Sequence, residues 1–323
     1  MQAIRFHRTG GPEVLSWEEV PEPVPGPGEA LVRHTAVGLN FIDTYHRSGL
    51  YPLPLPSGLG MEAAGVVEAV GDGVTEVAAG DRVAYAAGPP GAYAQARVLA
   101  ADRLVPLPPE VDDRLAAAAM LKGLTVEYLL RRTYAVQPGD WVLIHAAAGG
   151  VGLIACQWAR HLGARVIGTV GAEAKAALAT EHGCHHPLVL GREDVPARVR
   201  DLTGGAGVAV VYDSVGKDTW EMSLACLRRR GMLVSFGNAS GPVPPVSPLE
   251  LSRRGSLFLT RPVLMDYTAG REELLAAADA LFQVLATGAV RVAVNQEYPL
   301  ADAGRAHRDL EGRRTTGSSL LLP

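Results

Sequence analysis

Residues 141–158, Trp-Val-Leu-Ile-His-Ala-Ala-Ala-Gly-Gly-Val-Gly-Leu-Ile-Ala-Cys-Gln-Trp, constrain this chain more than any other stretch. The apolar run 141–144 reads as a buried strand, the small residues 146–152 as a turn, and the segment from Leu153 as an apolar-faced helix. A strand that feeds a helix through glycines needs backbone approaches too close for side chains. It also turns the free N–H groups of a helix N-terminus outward, where a phosphate group can sit. Written Ala147-x-Gly149-x-x-Gly152, the pattern departs from Gly-x-Gly-x-x-Gly by one methyl group at its first position. Alone, such a turn serves tight packing as readily as ligand binding, so its meaning depends on the rest of the chain.

After the turn, strands and helices alternate. Strands are expected at 165–170, 188–190, 208–212 and 232–236, with helices at 173–182, 194–202 and 219–228 between them. That rhythm indicates βαβ units around a doubly wound parallel sheet. The first hundred residues read differently, as short strands at 3–7, 15–20, 30–37, 63–70, 82–85 and 93–99 punctuated by Gly and Pro, with a short helix near 43–47. Two helices, 112–121 and 125–134, separated at Gly123, lead into the glycine-rich stretch. A proline-rich piece, 242–248, then breaks the rhythm, and the tail offers a helix (271–287), a strand (292–298), a helix (301–310) and a last strand (318–322). The tail continues neither the parallel sheet nor a third core, which places it against the N-terminal unit. The expected fold is α/β: a β-rich domain formed by 1–122 and 262–323, with a nucleotide-binding domain, 123–261, inserted into it.

Charge and cysteine content exclude several classes. The formal net charge is −4, with Lys and Arg scattered along the chain, so no nucleic-acid partner is expected. No apolar run approaches the roughly 20 residues that span a bilayer, and residues 1–7 lack the apolar core of a signal peptide, so the expected location is the cytoplasm with no membrane partner. Cys156, Cys184 and Cys226 have spacings that suit neither a zinc cluster nor a disulfide framework, and Cys156 reads as a small core residue.

The second strand identifies the nucleotide. Where NAD is bound, a carboxylate at the tip of that strand holds the ribose 2′-hydroxyl. Here the strand ends Ile167-Gly168-Thr169-Val170-Gly171, without an acid to repel a 2′-phosphate, and Lys175 follows at the start of the next helix. Glu173 is the one nearby acid, and a first-turn glutamate serves the helix dipole. These features favour NADPH. Two later strand ends, Tyr212-Asp213-Ser214-Val215-Gly216 and Ser235-Phe236-Gly237-Asn238, place small residues at the same carboxyl edge, where ligands bind in open α/β sheets.

Taken together, the chain resembles the medium-chain dehydrogenase/reductase superfamily, and within it the quinone oxidoreductase (zeta-crystallin-like) branch with its bacterial NADPH:quinone reductases. The residues that carry the resemblance are 40–52 (Asn-Phe-Ile-Asp-Thr-Tyr-His-Arg-Ser-Gly-Leu-Tyr-Pro), Lys122-Gly123-Leu124-Thr125, the stretch 145–152, the strand ends 212–216 and 235–238, Arg229-Arg230-Gly231, Thr260-Arg261-Pro262 and Gly317-Ser318-Ser319-Leu320-Leu321. The resemblance implies a GroES-like catalytic domain with an inserted Rossmann domain. It implies that Asn40 and Thr125 contact the nicotinamide-ribose side and that Gly149, Gly150, Val151 and Gly152 cradle the pyrophosphate. Gly171 and Lys175 would face the 2′-phosphate and Ser214 the adenosine part. Phe236 and Gly237 would lie along the nicotinamide, and Arg313 would match a cofactor-contacting arginine. Leu190 stands where the family often has a tyrosine beside the 2′-phosphate. The family also implies a homodimer, joined through the nucleotide domains near 256–260.

Zinc alcohol dehydrogenases of the superfamily carry Gly-His-Glu-x-x-Gly with a zinc-binding His and an upstream Cys ligand. This chain has Gly60-Met61-Glu62-Ala63-Ala64-Gly65, with Asn40 near the Cys position and no four-cysteine lobe. Catalytic zinc needs about three protein ligands, so no metal is expected. Without a strong Lewis acid, alcohol oxidation is disfavoured, whereas a quinone becomes an aromatic phenolate on hydride arrival and mainly needs orientation. Tyr45 and Tyr51 are the candidates to line the acceptor slot and hydrogen-bond its oxygens, and His145 reads as an anchor of the turn. An NADPH-dependent reductase of α,β-unsaturated carbonyls would use the same residues. A non-enzymatic role in binding NADPH or RNA is a third reading, and the charge argues against RNA.

Overall fold

The structure, a computed structural model, describes residues 1–86 and 88–323, and the chain divides into two compact units. Unit 1 comprises Met1–Leu124, Thr268–Ala286 and Val292–Pro323; unit 2 comprises Thr125–Tyr267 and Thr287–Arg291.

Unit 1 is built on strands. β1 (Gln2–Phe6) pairs antiparallel with β2 (Ser16–Glu19) and, on its other side, with β4 (Ser57–Gly58). The long β3 (Glu29–Leu39) pairs antiparallel with β5 (Glu62–Val70), which continues to β6 (Arg82–Ala86) and β8 (Val105–Pro106), while β7 (Ala96–Ala100) also pairs with β3. Alternation along β3 buries Val32, Val37 and Leu39 in a core with Phe6, Leu59, Tyr85, Tyr93 and Leu104. α1 (Phe41–Ser48) follows β3 at once, stopped by Gly49 at φ 85°. From the chain's end, α9 (Arg271–Ala286), β15 (Val294–Pro299), α10 (Ala303–Glu311) and β16 (Ser318–Leu322) join this unit, with Ser319–Leu321 of β16 antiparallel to Val37–Leu39 of β3.

α2 (Asp113–Tyr128) starts beside Asp112, whose carboxylate accepts from the Leu115 N–H at 2.7 Å. It runs unbroken through Gly123, where two helices had been expected. A Cβ on Gly123 would stand 2.5 Å from Leu281 Cδ1, so this glycine admits a neighbouring helix instead of ending its own. Glycine inside a helix costs about 1 kcal/mol relative to alanine, which the contact with α9 offsets.

Unit 2 is the doubly wound sheet. β9 (Trp141–Ile144), α3 (Gly150–His161), β10 (Arg165–Val170), α4 (Glu173–Glu181), β11 (His186–Val189), α5 (Val195–Leu202), β12 (Val208–Asp213), α6 (Trp220–Cys226) and β13 (Leu227–Ser235) alternate. After α7 (Pro248–Arg253) comes a sixth strand, β14 (Phe258–Thr260), and then α8 (Leu264–Tyr267). All pairings are parallel, in the order β11-β10-β9-β12-β13-β14. Connections reverse direction between β9 and β12, the switch point at which such sheets bind ligands.

Several expected boundaries move, and two of the shifts have reasons in named contacts. The helix expected over 219–228 ends at Cys226, because Leu227 is already paired with Val208 and sheet pairing overrides the helix propensity of Arg228–Arg230. The strand expected over 93–99 begins only at Ala96, since Tyr93 N–H bonds Leu59 and Gln95 N–H bonds Gln2, which carries the chain from the three-stranded to the larger sheet.

Candidate active site

The glycine-rich turn leaves β9 at the middle of the parallel sheet. Ala146 takes φ 53°, Ala147 N–H bonds Thr169 O at 3.0 Å, and Gly149 caps α3. The N–H groups of Gly150, Val151 and Gly152 form the first turn of this 12-residue helix and have no intrahelical acceptor. A Cβ on Gly152 would lie 2.3 Å from Ala146 O, so only glycine lets the helix start this close to the turn. The extra methyl group at the first motif position is also explained. A Cβ on Gly168 of β10 would be 2.6 Å from the Ala147 Cβ, so Gly168 supplies the space that Ala147 fills. His145 anchors the turn, as the sequence suggested. Its Nε2 lies 2.9 Å from Ser223 Oγ, which donates to Asp213 Oδ2 at 2.6 Å, while Thr169 Oγ1 stands 2.8 Å from Nδ1. Ser223 can therefore only accept from His145, which fixes the Nε2–H tautomer; burial lowers the pKa of this imidazole.

Gly171 and Lys175 sit at the tip of β10 and in the first turn of α4. A Cβ on Gly171 would meet nothing within 4 Å, so the tip is open. Glu173 lies 2.7 Å from Arg192 in the turn after β11, and both are exposed. Arg192 was not singled out from the sequence. Its guanidinium offsets the Glu173 carboxylate beside the tip, two residues beyond Leu190.

Asp213 ends β12 with its carboxylate buried, accepting from the N–H groups of Val215 and Gly216 and from the hydroxyls of Thr219 and Ser223. These bonds shape the turn that presents Ser214. Phe236 N–H bonds Asp213 O at 2.8 Å, and a Cβ on Gly237 would stand 2.4 Å from Ser214 O. Ser214, Phe236 and Gly237 are thus brought together with the cradle at one sheet edge; Thr125, 7% exposed, opens this unit on α2. The switch-point position, the open helix N-terminus and the glycines suit a dinucleotide.

In unit 1 three of the candidates, Asn40, Tyr45 and Tyr51, gather on α1 and beyond its two ends. Asn40 caps the helix, and its backbone N–H donates to Asp43 Oδ2 at 2.9 Å. The rings of Tyr45 and Tyr51 meet edge-on with centroids 5.2 Å apart, and Tyr51 N–H bonds Tyr45 O. His46, absent from the sequence candidates, lies 6.0 Å from Tyr51, and burial lowers its pKa. Arg313 follows α10 in an exposed turn at φ 57°. Two buried polar clusters lie beneath. In one, Glu62 receives Asn40 Nδ2, Leu121 N–H and Lys122 Nζ. In the other, Asp43, Tyr93, His307 and Arg47 are linked in series, with Arg47 gripping Glu311 through two nitrogens. Burial pushes the Asp43 carboxyl up to about 7. Spacing along the chain gives no signal for the second cluster, since Arg47 and His307 are 260 residues apart.

Where zinc enzymes hold their metal, Met61 is buried, and Glu62 is committed to Lys122. Among the described residues no group of three or more His, Cys, Asp or Glu could hold a metal ion, and no helix is long and apolar enough to cross a membrane.

A GroES-like unit joined to a doubly wound sheet with a glycine cradle at its switch point defines a medium-chain dehydrogenase/reductase, and comparison with known proteins agrees. Residues 26–109 match the alcohol dehydrogenase GroES-like domain model and residues 150–282 the zinc-binding dehydrogenase model. The chain is 57% identical to a quinone oxidoreductase of Pseudomonas aeruginosa over 99% of both proteins, and 49% identical to a 2-haloacrylate reductase of a Burkholderia species over 100% of this chain and 99% of that protein. The crystal structure of Escherichia coli quinone oxidoreductase complexed with NADPH superposes with a TM-score of 0.98 at 53% identity, covering all of both chains. The chain belongs to the quinone oxidoreductase family of this superfamily.

Proposed function

We propose that the protein is a zinc-independent NADPH:quinone oxidoreductase. The observation that carries this reading is the 57% identity, held over 99% of both chains, to a protein named quinone oxidoreductase. The cradle supports it. Gly149, Gly150, Val151 and Gly152 cradle the pyrophosphate, with the N–H groups of Gly150, Val151 and Gly152 turned toward it, and Lys175 with Arg192 faces the 2′-phosphate beside the open Gly171. Ser214 takes the adenosine part, Phe236 and Gly237 the nicotinamide, Asn40 and Thr125 the nicotinamide ribose, and Arg313 a further cofactor contact. Bound NADPH supplies a hydride from its nicotinamide ring. Tyr45 and Tyr51 orient the flat acceptor and donate hydrogen bonds to its oxygens, where negative charge develops as the ring becomes aromatic. Delocalisation of that charge over the product removes the need for a Lewis acid, consistent with a Glu62 already paired to Lys122.

The Burkholderia relative favours a second substrate class at the same residues, alkenes conjugated to a carboxylate or carbonyl. The deciding experiment is steady-state NADPH oxidation against ortho- and para-quinones, alkenals, 2-haloacrylates and simple saturated ketones. Quinones should turn over fastest and saturated ketones slowest. Rapid turnover of an alkenal or haloacrylate with no quinone accepted would overturn the first reading in favour of the second.

The protein acts in the cytoplasm as a homodimer. β14 is the edge strand of the parallel sheet and carries Phe258 at 57% exposure, an arrangement that invites pairing with a second copy.

A further inference from the structure

Glu62 is the first residue of β5 and is fully buried. Directly across the ladder stands Gly38, and a Cβ there would lie 2.1 Å from Glu62 Oε1 and 2.4 Å from Ala117 O. The missing side chain makes room for a carboxylate under α2. Three donors converge on that carboxylate: Leu121 N–H reaches Oε2 at 2.6 Å, while Lys122 Nζ at 2.7 Å and Asn40 Nδ2 at 2.9 Å share Oε1. Lys122 and Asn40 are 5% and 6% exposed, so the cluster is closed to bulk water.

An ionised carboxylate accepts and cannot donate. It therefore selects one of the two orientations open to a primary amide, with Nδ2 toward Glu62 and the carbonyl edge on the other side, where it also faces the Asp43 N–H in the capping box of α1. Lys122 offsets the cost of burying the charge that makes this selection. The amide nitrogen goes to Glu62 and not to the neighbouring Asp43, whose Oδ2 accepts from Asn40 N–H and Tyr93 Oη and whose Oδ1 has no partner.

We infer that the buried Lys122–Glu62 ion pair is a positioning device that fixes the Asn40 amide in a single orientation, so that the nicotinamide ribose meets a preset carbonyl edge able to accept from a hydroxyl. The inference rests on the proposed contact between Asn40 and that ribose. Glu62 and Lys122 touch neither cofactor nor acceptor and act only through Asn40. In Glu62→Gln one oxygen must serve three donors; with that oxygen on Leu121 N–H, the new amide faces Asn40 and turns it over.

The test is calorimetric binding of two ligands to the full-length enzyme: NADPH, and adenosine 2′,5′-bisphosphate, which lacks the nicotinamide ribose. Glu62→Gln should raise the Kd for NADPH about tenfold, the loss of one well-oriented hydrogen bond, and leave that for the bisphosphate unchanged. In an Asn40→Ala background the same substitution should change neither. An equal loss of both ligands, or a loss that adds in full to that of Asn40→Ala, would mean that Glu62 acts on the fold at large, and the inference would fall. Should Glu62→Gln not fold with Lys122 left unpaired, Glu62→Gln/Lys122→Met removes both charges and carries the same two expectations. Failure of the proposed function itself reads differently: the unaltered enzyme would then bind NADPH no better than NADH, or reduce no quinone.

Discussion

The Tyr93 hydroxyl donates to Asp43 Oδ2 across 2.9 Å, tying the first turn of α1 to the segment that crosses between the two sheets of unit 1. The directions of the neighbouring bonds follow from one fact. Arg47 can only donate, so His307 Nδ1 accepts from it and the proton sits on Nε2, 3.1 Å from the same tyrosine oxygen. Tyr93 therefore receives from His307 and gives to Asp43. The other carboxylate oxygen of Asp43 is buried with no partner, and burial, opposed by the bonds from Asn40 and Tyr93, raises this carboxyl to about 7, with Glu62 adding to the rise and Lys122 reducing it.

A pH dependence of stability follows. A carboxyl raised from its ordinary value near 3.8 to about 7 binds its proton more tightly in the folded state. Its stabilising contribution is full below pH 3.8 and is lost as pH rises to 7, at up to about 1.4 kcal/mol per pH unit. His34, lowered to about 4, and His307, lowered to about 3, act in the opposite sense, because neutral buried imidazoles lose stability as pH falls below their ordinary 6.5. Subtraction isolates the carboxyl. The stability of the native protein relative to Asp43→Asn, measured by urea unfolding, should decline between pH 5 and 7 and level off above. A flat difference across that interval would contradict the raised carboxyl.

Arg47 is 2% exposed and joins α1 to α10, bonding Gly10 O, His307 and both oxygens of Glu311. Replacing it with Met keeps the stem and removes every donor. Because Glu311 retains access to water, the expected loss is about 2–3 kcal/mol, below the full cost of orphaning a buried charge. Denaturant midpoints of Arg47→Met and of Arg47→Met/Glu311→Gln should differ by less than about 1 kcal/mol, since the exposed carboxylate is solvated once released.

Local pattern explains what was legible before the structure. The glycine turn, the alternating strands and helices and the acid-free tip of β10 all lie within runs of a few residues, and the strand–turn–helix, the parallel sheet and an open strand tip stand where those runs placed them. Gly123 misled because its reason is Leu281, far along the chain, and nothing nearby distinguishes a glycine that admits a helix from one that ends it. The same holds for Glu62 and Lys122, which were visible as parts of motifs while their contact was not. Arg192 was passed over because a lone arginine in a turn carries no pattern; its meaning comes from the carboxylate of Glu173.

Cofactor preference should respond to the β10 tip. Gly171→Asp meets no steric obstacle and places a carboxylate where a 2′-phosphate would lie and a 2′-hydroxyl could be bound. The ratio of kcat/KM for NADPH to that for NADH should fall by at least about 100-fold, from repulsion of one cofactor and a new bond to the other. Lys175→Ala and Arg192→Ala should each raise the KM for NADPH while leaving that for NADH nearly unchanged. Equal effects on both cofactors would remove these cations from the phosphate site.

Assembly should depend on the exposed edge of β14. Phe258→Lys sets a charge on the strand that would pair with a second copy, without disturbing a buried residue. Sedimentation should show a dimer for the unaltered protein and a concentration-dependent shift toward monomer for the variant. An unchanged dimer would move the interface elsewhere.

The methyl group that departs from the glycine motif offers the sharpest packing test. Ala147 is fully buried, and its Cβ occupies the space left by Gly168. Gly168→Ala would put a new Cβ 2.6 Å from that methyl carbon and 2.8 Å from Cys184 Sγ, closer than either can stand. Overpacking of this kind costs about 1–3 kcal/mol. Moving the methyl group across the interface, as Ala147→Gly/Gly168→Ala, relieves the first clash and leaves the second, so guanidinium unfolding should show the double variant more stable than Gly168→Ala and less stable than the parent. If Ala147→Gly gives no such rescue, the two residues are not complementary, and the alanine in the motif needs another explanation.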